Sequence, residues 1–445
     1  MLLDRIIALK AKFLTILENL KSRPFPRKGR IRIAITFSLL FVLILLCVHR
    51  KKEAPEAGKT PAVRIEPAPK SVANYLVTRP FDSTFKAAQT FVDKNDTLQV
   101  KLTLDDILQK RIYLLMTRYK PRCGAAIVIK PMTGEVLAAV SYRNDKETES
   151  LPQCNNMLFW NEYPAASLFK IVTATGAMEY GLVNPDDELN VTGSYYTLYK
   201  SQLKDRAVPW ARRISIRQAF SKSINPLFGI VGQRILGAER LNKTAERFLF
   251  NQAIHFDLPV LCSHYVPPQD DYETAERACG FNKSTTISPL HAVLISGAIA
   301  ADGTIKGPYL VESVKNRDKT VYQHGADTAY TLASKETALL TRTIMGDVVR
   351  EGTARKSFND LRRLKDYQRF KLGGKTGSLD SVNPRGRCDW FTGFAIDPDN
   401  PQNSIALAVV TVHGAFWTVH SSYIAAEAIR CYYDKNRVKD PAKVQ

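Results

Sequence analysis

The sequence lacks the patterns that metal and nucleic-acid sites require. None of its seven cysteines lies in a C-x-x-C pair, so neither a zinc site nor another metal site is expected. The formal net charge is +20, yet no basic stripe interleaved with aromatic residues and no zinc-finger spacing occurs, so we do not expect nucleic-acid binding. No internal repeat divides the 445 residues, which suffice for one large domain or two ordinary ones.

Long hydrophobic runs are also scarce, since only one is present, from Ile33 to Val48. Basic residues flank it on both sides, and residues 1–60 hold thirteen Lys or Arg against four Asp or Glu. This pattern is typical of a single membrane-spanning helix whose more basic end stays in the cytoplasm. No A-x-A cleavage site ends the run, so we expect an uncleaved anchor over 31–49. A cytoplasmic basic tail over 1–30 would precede it, and all later residues would lie outside the cytoplasmic membrane.

Composition divides the rest of the chain into three parts. Residues 50–97 begin with a proline-rich, charged stretch and are predicted to be a linker. Residues 98–435 have the hydrophobic periodicity of a folded domain, and residues 436–445 form a polar C-terminal tail.

The pattern within 98–435 predicts an α+β domain. A helix is expected over 102–119, with Thr103 as its N-cap, and a further helix closes the domain over 421–433. Strands are expected near both ends of the domain, over 125–130, 135–142, 389–397 and 404–414. Strands at both ends with helices between them favour an antiparallel β-sheet with helices packed on it.

Six of the seven cysteines follow the predicted anchor and would face an oxidising compartment, whereas Cys47 lies within the span. Six cysteines allow up to three disulfides in fifteen pairings, and the sequence does not choose among them. The one local pairing we expect is Cys262–Cys279.

The chemistry centres on a Ser-x-x-Lys motif, which places a hydroxyl and an amine on one face of a helix. The chain contains three copies, beginning at Ser83, Ser167 and Ser201. The first lies before the predicted domain, and the third leads into a charged loop. Only Ser167, followed by Lys170, opens a long apolar helix, whose N-terminus favours developing negative charge. Ser167 is therefore the candidate nucleophile.

Two further motifs accompany it. Ser223-Ile-Asn225 alternates a hydroxyl and an amide, so both side chains are able to face a cleft. Lys375-Thr376-Gly377 is expected on a strand, where glycine lets a substrate backbone approach closely. Either motif alone is a weak signal, but the three in this order are hard to attribute to chance.

The three motifs resemble those of the penicillin-binding proteins, serine D,D-transpeptidases of the penicilloyl serine transferase superfamily. Other segments are also similar to that family, including LTLDDILQ, TGEVLAAVSY, the stretch 281–305, EGTA and DWFTGF. The resemblance covers roughly 98–435 and implies a β-lactamase/transpeptidase-like fold, in which helices sandwich the antiparallel sheet, with no cofactor.

The resemblance implies a role for each motif residue. Ser167 attacks the penultimate D-Ala of a stem peptide, and Lys170, kept neutral by burial and by Lys375, is the base. Ser223 relays a proton to the leaving amine, while Asn225 holds the substrate amide.

The remaining implied roles concern substrate binding. Thr376 receives the substrate carboxylate together with the preceding lysine, and Gly377 allows close approach. The backbone N–H of Ser378 joins that of the nucleophile in an oxyanion hole. His413 and His420 are interpreted as packed or exposed residues, because a lysine already fills the role of base.

The sequence departs from the family in three ways. Leu168 follows the serine where threonine is more usual, the pedestal domain is absent or reduced to a stub within 50–97, and the roughly fifty residues after the anchor cannot hold a glycosyltransferase. We therefore expect stem peptides and β-lactams as ligands and a separate glycosyltransferase as partner. The alternatives are a β-lactamase or β-lactam sensor, a D,D-carboxypeptidase, and a non-enzymatic scaffold for cell-wall assembly.

Overall fold

The computed structural model describes residues 68–94, 96–144, 157–204, 207–325, 328–382 and 385–438. The predicted tail 1–30 and anchor 31–49 lie outside these ranges, as do Cys47 and Cys154. Within them, no helix combines the length and hydrophobicity that crossing a membrane requires.

The described residues contain thirteen strands. In chain order they are β1 (Ala88–Asp93), β2 (Asp96–Leu102), β3 (Cys123–Ile129), β4 (Val136–Arg143), β5 (Glu188–Val191), β6 (Arg212–Ser215), β7 (Thr304–Lys306), β8 (Val311–Asn316), β9 (Lys319–Gln323), β10 (Ala329–Thr331), β11 (Lys371–Ser381), β12 (Gly386–Ile396) and β13 (Ile405–His413).

The same residues contain eleven α-helices, joined by short 3-10 turns and one π-helical segment. In chain order they are α1 (Lys70–Val77), α2 (Asp106–Tyr119), α3 (Phe169–Glu179), α4 (Ile216–Ser221), α5 (Asn225–Ile230), α6 (Gly237–Arg247), α7 (Asp271–Cys279), α8 (Pro289–Ala300), α9 (Lys335–Arg350), α10 (Asn359–Arg363) and α11 (Ser421–Val438).

Five antiparallel strands form the central sheet, in the order β11-β12-β13-β3-β4. The four predicted strands correspond to β3, β4, β12 and β13 within three residues at each end. Strands β3, β12 and β13 are buried almost throughout because both faces are covered, whereas β11 lies at the edge of the sheet. The edge strand carries the Lys375-Thr376-Gly377 motif, as expected.

Helices cover both faces of this sheet. Successive residues of a strand point to alternate faces. Thr392 Oγ1 in β12 donates to Ala292 O of α8 at 2.8 Å, whereas Asp389 in the same strand accepts from the Ser421 N–H, which begins α11, at 2.6 Å. Helix α2 packs against α11 and β4. The predicted class, an antiparallel sheet between layers of helices, is therefore confirmed.

The start of α2 differs from the prediction. Its N-cap is Asp105, whose carboxylate accepts from the N–H groups of Ile107 and Leu108 at 3.1 and 3.2 Å. Thr103, the predicted cap, instead donates its hydroxyl to Val136 O at 2.8 Å. Thr103 tethers the helix entry to β4, a long-range contact that local capping rules do not anticipate.

Residues 68–97, predicted as linker or pedestal stub, contain regular structure. Helix α1 packs on β1, where the rings of Tyr75 and Phe91 stack at 4.1 Å between centroids. Strand β2 pairs with β8, and together they form a four-stranded antiparallel sheet in the order β1-β2-β8-β9. Structure packed on the domain thus begins before residue 98, because its partner strand lies far along the chain.

Candidate active site

Ser167 lies in the 3-10 turn Ala166–Leu168, which leads directly into α3. Ala166 has a φ of +49°, in the left-handed region that residues other than glycine seldom occupy. Gly280, the C-cap of α7, has a φ of +71°, and a Cβ there would collide with the carbonyl oxygen of Ala166. The close packing of Gly280 thus fixes the peptide unit that precedes the candidate nucleophile.

Lys170 is the partner of Ser167. Its Nζ lies 2.8 Å from Ser167 Oγ, 2.8 Å from Asn225 Oδ1 and 2.6 Å from the carbonyl oxygen of Cys279. Burial of the whole side chain lowers the pKa of Lys170 to about 8, and no carboxylate among the described residues contacts the amine. A neutral Lys170 accepts a proton, so the pair has the geometry of a nucleophile and its base.

A second buried lysine, Lys375 of β11, contacts the second serine. Its Nζ donates to Ser223 Oγ at 2.9 Å and to Thr376 O at 2.9 Å. Ser223 follows α4 with a φ of +59°, in the left-handed region, and its hydroxyl accepts from the lysine of β11. The pKa of Lys375 lies well below its usual value, first because of burial and second because of the charge of Lys170.

The two buried lysines are electrostatically coupled. Burial, which was one of the two predicted causes, lowers the pKa of Lys170, and the charge of Lys170 helps to lower the pKa of Lys375. The influence of Lys375 on the base stays a prediction.

Asn225 is held from both its backbone and its side chain. Its N–H donates to Tyr195 O at 2.7 Å, and its Nδ2 donates to Tyr196 O at 3.1 Å. This orients Oδ1 toward Lys170. Pro226 follows directly, at the first turn of α5, where its missing N–H is not needed.

Strand β11 closes one side of the site. Thr376 Oγ1 lies 2.6 Å from Thr353 Oγ1. Gly377 pairs with Trp390 of β12, whose ring is buried and donates to Pro164 O at 3.0 Å. A Cβ at Gly377 would lie 3.3 Å from the backbone nitrogen of Leu168, so glycine lets the strand approach the turn that carries Ser167.

The structure brings all eight predicted site residues together. Six of them line one cavity of about 300 Å³: Ser167, Ser223, Asn225, Thr376, Gly377 and Ser378. Lys170 and Lys375 are fully buried and reach the cavity through the two serines. The other two Ser-x-x-Lys motifs, at Ser83 and Ser201, do not contribute to this cavity.

Another wall of the cavity escaped prediction. Arg387 Nε donates to Ser378 Oγ at 2.9 Å, and Asp389 accepts from a backbone N–H of α11. His420 Nδ1 lies 3.8 Å from Asp389 Oδ2, and this nearby carboxylate raises the pKa of His420. The register between β11 and β12 places Arg387 and Asp389 beside Ser378. In the sequence, only the DWFTGF segment pointed to this wall. His413 is buried behind this wall.

The predicted Cys262–Cys279 disulfide is wrong, since both cysteines are free thiols. Cys279 ends α7, where its carbonyl contacts Lys170 and burial raises the pKa of its thiol to about 11. Cys262 is exposed. Closeness in sequence was a poor guide because Cys279 is buried at the end of α7 whereas Cys262 lies at the surface. Among the described residues, no group of three His, Cys, Asp or Glu side chains is arranged to hold a metal ion.

The family described as penicillin binding protein transpeptidase domain matches residues 124–430. The chain is 26% identical over 333 residues to penicillin-binding protein PbpB of Mycolicibacterium smegmatis, covering 71% of this chain and 51% of that protein. It is 26% identical over 344 residues to stage V sporulation protein D of Bacillus subtilis, covering 72% and 51%. To peptidoglycan D,D-transpeptidase MrdA of Acinetobacter baumannii it is 24% identical over 370 residues, covering 72% and 52%. The chain thus spans about half the length of these curated relatives.

Solved structures share the fold. The D,D-transpeptidase domain of a peptidoglycan glycosyltransferase from Eggerthella lenta has a TM-score of 0.61 at 24% identity, covering 76% of this chain and 84% of that chain. The imipenem acyl-enzyme complex of penicillin-binding protein A from M. tuberculosis has a TM-score of 0.61 at 22% identity, covering 82% and 83%. At these identities the likeness establishes a common fold.

Proposed function

The chain belongs to the family of penicillin-binding protein transpeptidase domains, and from this membership we propose that it is a peptidoglycan D,D-transpeptidase. It cross-links stem peptides through an acyl-enzyme on Ser167, and β-lactams inhibit it by acylating the same oxygen. The observation that carries the proposal is the 2.8 Å contact between Lys170 Nζ and Ser167 Oγ, made by a buried amine whose pKa is about 8.

Acylation begins with transfer of the Ser167 hydroxyl proton to neutral Lys170 as Oγ attacks the carbonyl of the penultimate D-Ala. Negative charge then develops on the carbonyl oxygen. The backbone N–H groups of Ser167 and Ser378, both at the cavity, stabilise that charge. Removing one such donor in a serine hydrolase costs about 3–4 kcal/mol of transition-state stabilisation.

Collapse of this intermediate expels the terminal D-Ala, whose amine must gain a proton. Ser223 supplies it, since its hydroxyl is held 2.9 Å from Lys375 Nζ and can be reprotonated from that amine. The amine of a second stem peptide then attacks the acyl-enzyme, forming the cross-link and releasing Ser167.

The substrate is held by groups on two sides of the cavity. Asn225 holds the amide of the donor peptide, and Lys375 and Thr376 receive its terminal carboxylate. A carboxylate beside Lys375 favours the ammonium form, so binding raises the depressed pKa of Lys375 and draws a proton to it. Binding of the substrate carboxylate therefore favours protonation of Lys375, which later supplies the proton, through Ser223, to the leaving amine.

The rival functions differ mainly in the fate of the acyl-enzyme. Class A β-lactamases use a glutamate to activate the water that hydrolyses it. Among the described residues that line the cavity, the one carboxylate is Asp389, which accepts from the Ser421 N–H at 2.6 Å. Because Asp389 is already held by this backbone contact, we expect slow hydrolysis of the acyl-enzyme, as in a transpeptidase. A D,D-carboxypeptidase shares every catalytic group, and only the choice of acceptor separates it.

We further propose that residues 31–49 anchor the chain in the cytoplasmic membrane, with the N-terminus inside and the catalytic domain outside. The basic flanks of the single hydrophobic run support this orientation. A separate glycosyltransferase supplies the glycan strands, since about fifty residues between the predicted anchor and residue 98 are too few for such a domain.

Labelling of the full chain with a fluorescent penicillin tests the proposal. Wild type is compared with Ser167→Ala and with two matched controls from the other motifs, Ser83→Ala and Ser201→Ala. We expect a stable adduct in all except Ser167→Ala. An adduct that forms and is released within seconds would support a β-lactamase instead, and a folded wild type that never labels would support a scaffold.

Acceptor choice is tested next. The full chain is incubated with a donor stem peptide that ends in D-Ala-D-Ala and with an acceptor stem peptide that carries a free amine, and products are identified by mass spectrometry. Cross-linked peptide is the expected product, whereas release of the shortened peptide alone would indicate a carboxypeptidase.

A further inference from the structure

A second cavity, of about 530 Å³, lies between helix α9 and strand β11 and shares no lining residue with the active-site cavity. Four cationic side chains line it: Arg342, Arg350, Arg362 and Lys371. Its apolar lining comprises Leu339, Val349, Phe370, Leu372 and Phe394. No carboxylate is found among the described residues that line this basic groove.

Two of the four cations in the basic groove are not matched by carboxylates. Arg342 and Arg350 contact Asp302 and Asp347, respectively. Arg362, by contrast, donates to the Arg350 carbonyl at the end of α9, which leaves its charge uncompensated by any described carboxylate. Lys371 is exposed, and no carboxylate of the described residues lies within ion-pair distance of it. The groove therefore has net positive charge.

The sequence around the groove extends this positive field. Residues 350–371 contain eight Lys or Arg against three Asp or Glu. A cleft lined by one sign of charge raises the local concentration of oppositely charged ligands. Arg350 and Arg369 are paired with carboxylates outside the segment, so the attraction for anions comes from its other cations.

The apolar lining indicates that a ligand of the groove must offer apolar surface as well as negative charge. Leu339 keeps 44% of its surface exposed at the rim of the groove, beside the nearly buried Phe370. A small inorganic anion would leave this apolar surface in water, and an uncharged apolar ligand would leave the cations unused. The matching ligand carries a large apolar side chain with acidic groups beside it.

We propose that the basic groove binds an acidic segment of a partner protein through one or two large apolar side chains flanked by Asp or Glu. Charge complementarity argues against this chain as its own partner. Residues 61–445 of a second copy hold fifty Lys or Arg against thirty-nine Asp or Glu, so a second copy also has net positive charge on the side of the membrane where the groove lies. Like charges facing each other across an interface disfavour association.

The position of the groove gives such a partner access to the catalytic machinery. Strand β11 passes through both cavities, with Lys371 in the groove and Thr376 in the active site. Five residues of strand span roughly 17 Å. A segment docked in the groove is therefore attached to a protein that lies beside the site of cross-linking.

Fluorescence anisotropy with the full chain tests the proposal. The probes are labelled hexapeptides with two central positions varied over Leu, Ile, Val, Met, Phe, Tyr and Trp, and with Asp or Glu at the two positions on each side. A matching library with Lys flanks is the charge control. We expect acidic peptides to bind, basic ones not to bind, and affinity to fall as salt is raised.

Two pairs of variants localise the binding. Lys371→Glu is compared with Lys319→Glu, which makes the same charge change on exposed strand β9. Leu339→Gln is compared with Leu340→Gln, its neighbour on α9, which is 36% exposed and does not line the groove. The groove variants are expected to raise the Kd about tenfold or more, and the controls to leave it within about twofold.

Each contrary outcome overturns the proposal. These outcomes are no binding by any acidic peptide, equal losses in groove and control variants, or displacement of the peptide by anionic phospholipid vesicles or peptidoglycan fragments that bind the same residues more tightly. Thermal melting of every variant checks the fold. Anisotropy measures peptide binding and does not depend on acylation. A failure of the groove proposal is therefore distinguished from a failure of the proposed enzymatic function, which penicillin labelling tests.

Discussion

Replacing Asn225 with aspartate should move the pH dependence of acylation without greatly changing the shape of the site. Asn225 Oδ1 lies 2.8 Å from Lys170 Nζ, so Asn225→Asp introduces a negative charge at hydrogen-bond distance from the base. An opposite charge this close favours the ammonium form and raises the pKa by about 1–3 units. The pKa of Lys170, lowered to about 8 by burial, would thus return toward its ordinary value.

The size of the effect follows from the fraction of neutral amine. At pH 7 a lysine of pKa about 8 is neutral in about one molecule in ten, against about one in three thousand at an ordinary pKa. Asn225→Asp should therefore acylate about ten to three hundred times more slowly at pH 7. The loss should shrink at higher pH, as the amine is deprotonated again.

The assay is the second-order rate constant for acylation by a fluorescent penicillin, measured from pH 6 to 10. Wild type should gain about tenfold per pH unit below the inflection near pH 8 and level off above it. Asn225→Ser is the control, since it removes the same contact without adding charge. Its rates should fall without an upward shift of the inflection.

Two results would refute this reasoning. A wild-type rate that is flat between pH 6 and 9 would mean that Lys170 is not the titrating base. An Asn225→Asp inflection at the wild-type pH, in a protein that melts cooperatively, would mean that the contact between Asn225 and Lys170 does not govern its proton.

Three further predictions follow from the described contacts. The pKa of Lys170 is about 8 in the folded protein and 10.5 for an unperturbed lysine, so between these pH values the unfolded chain binds one proton more than the folded one. The free energy of unfolding should therefore rise with pH in this range, by about 3 kcal/mol in urea titrations, and Lys170→Met should remove that part of the slope. Gly280→Ala should slow acylation at least about tenfold, since its Cβ displaces the carbonyl before the nucleophile, whereas Gly181→Ala, also at positive φ but facing open space, should only lower the melting temperature. Cys262 should react with a thiol reagent in the native protein and Cys279 only after unfolding, and a Cys262–Cys279 bond in non-reducing peptide mapping would contradict the structure.

The sequence predicted the parts of the site that depend on local spacing. Ser167 and Lys170 are three residues apart on one helical turn, and a strand containing Lys375-Thr376-Gly377 presents alternate residues to one face. Such patterns need only the geometry of one element. The order of the three motifs then supplied the family and the fold, and the structure brings all eight residues together.

The parts that were missed depend on contacts between distant segments. The carbonyl of Cys279 completes the surroundings of Lys170, and nothing in a cysteine at a helix end predicts that role. The pairing of β2 with β8, and the register that places Arg387 beside Ser378, join residues whose separation hides them from pattern analysis. Packing against segments that are distant in the chain decides which of the locally possible secondary structures forms.

The positive φ angles of Ala166 and Ser223 have a consequence for the evolution of this protein. Each residue holds roughly 1–2 kcal/mol of backbone strain that glycine would relieve. Selection for heat resistance alone should therefore favour glycine at both positions. At Ser223 that change removes the hydroxyl beside Lys375, and at Ala166 it loosens the peptide unit before Ser167. A lineage that adapts to heat must then find its stabilising substitutions elsewhere, and variation at these two positions should mark copies of the gene that have lost the enzyme's activity.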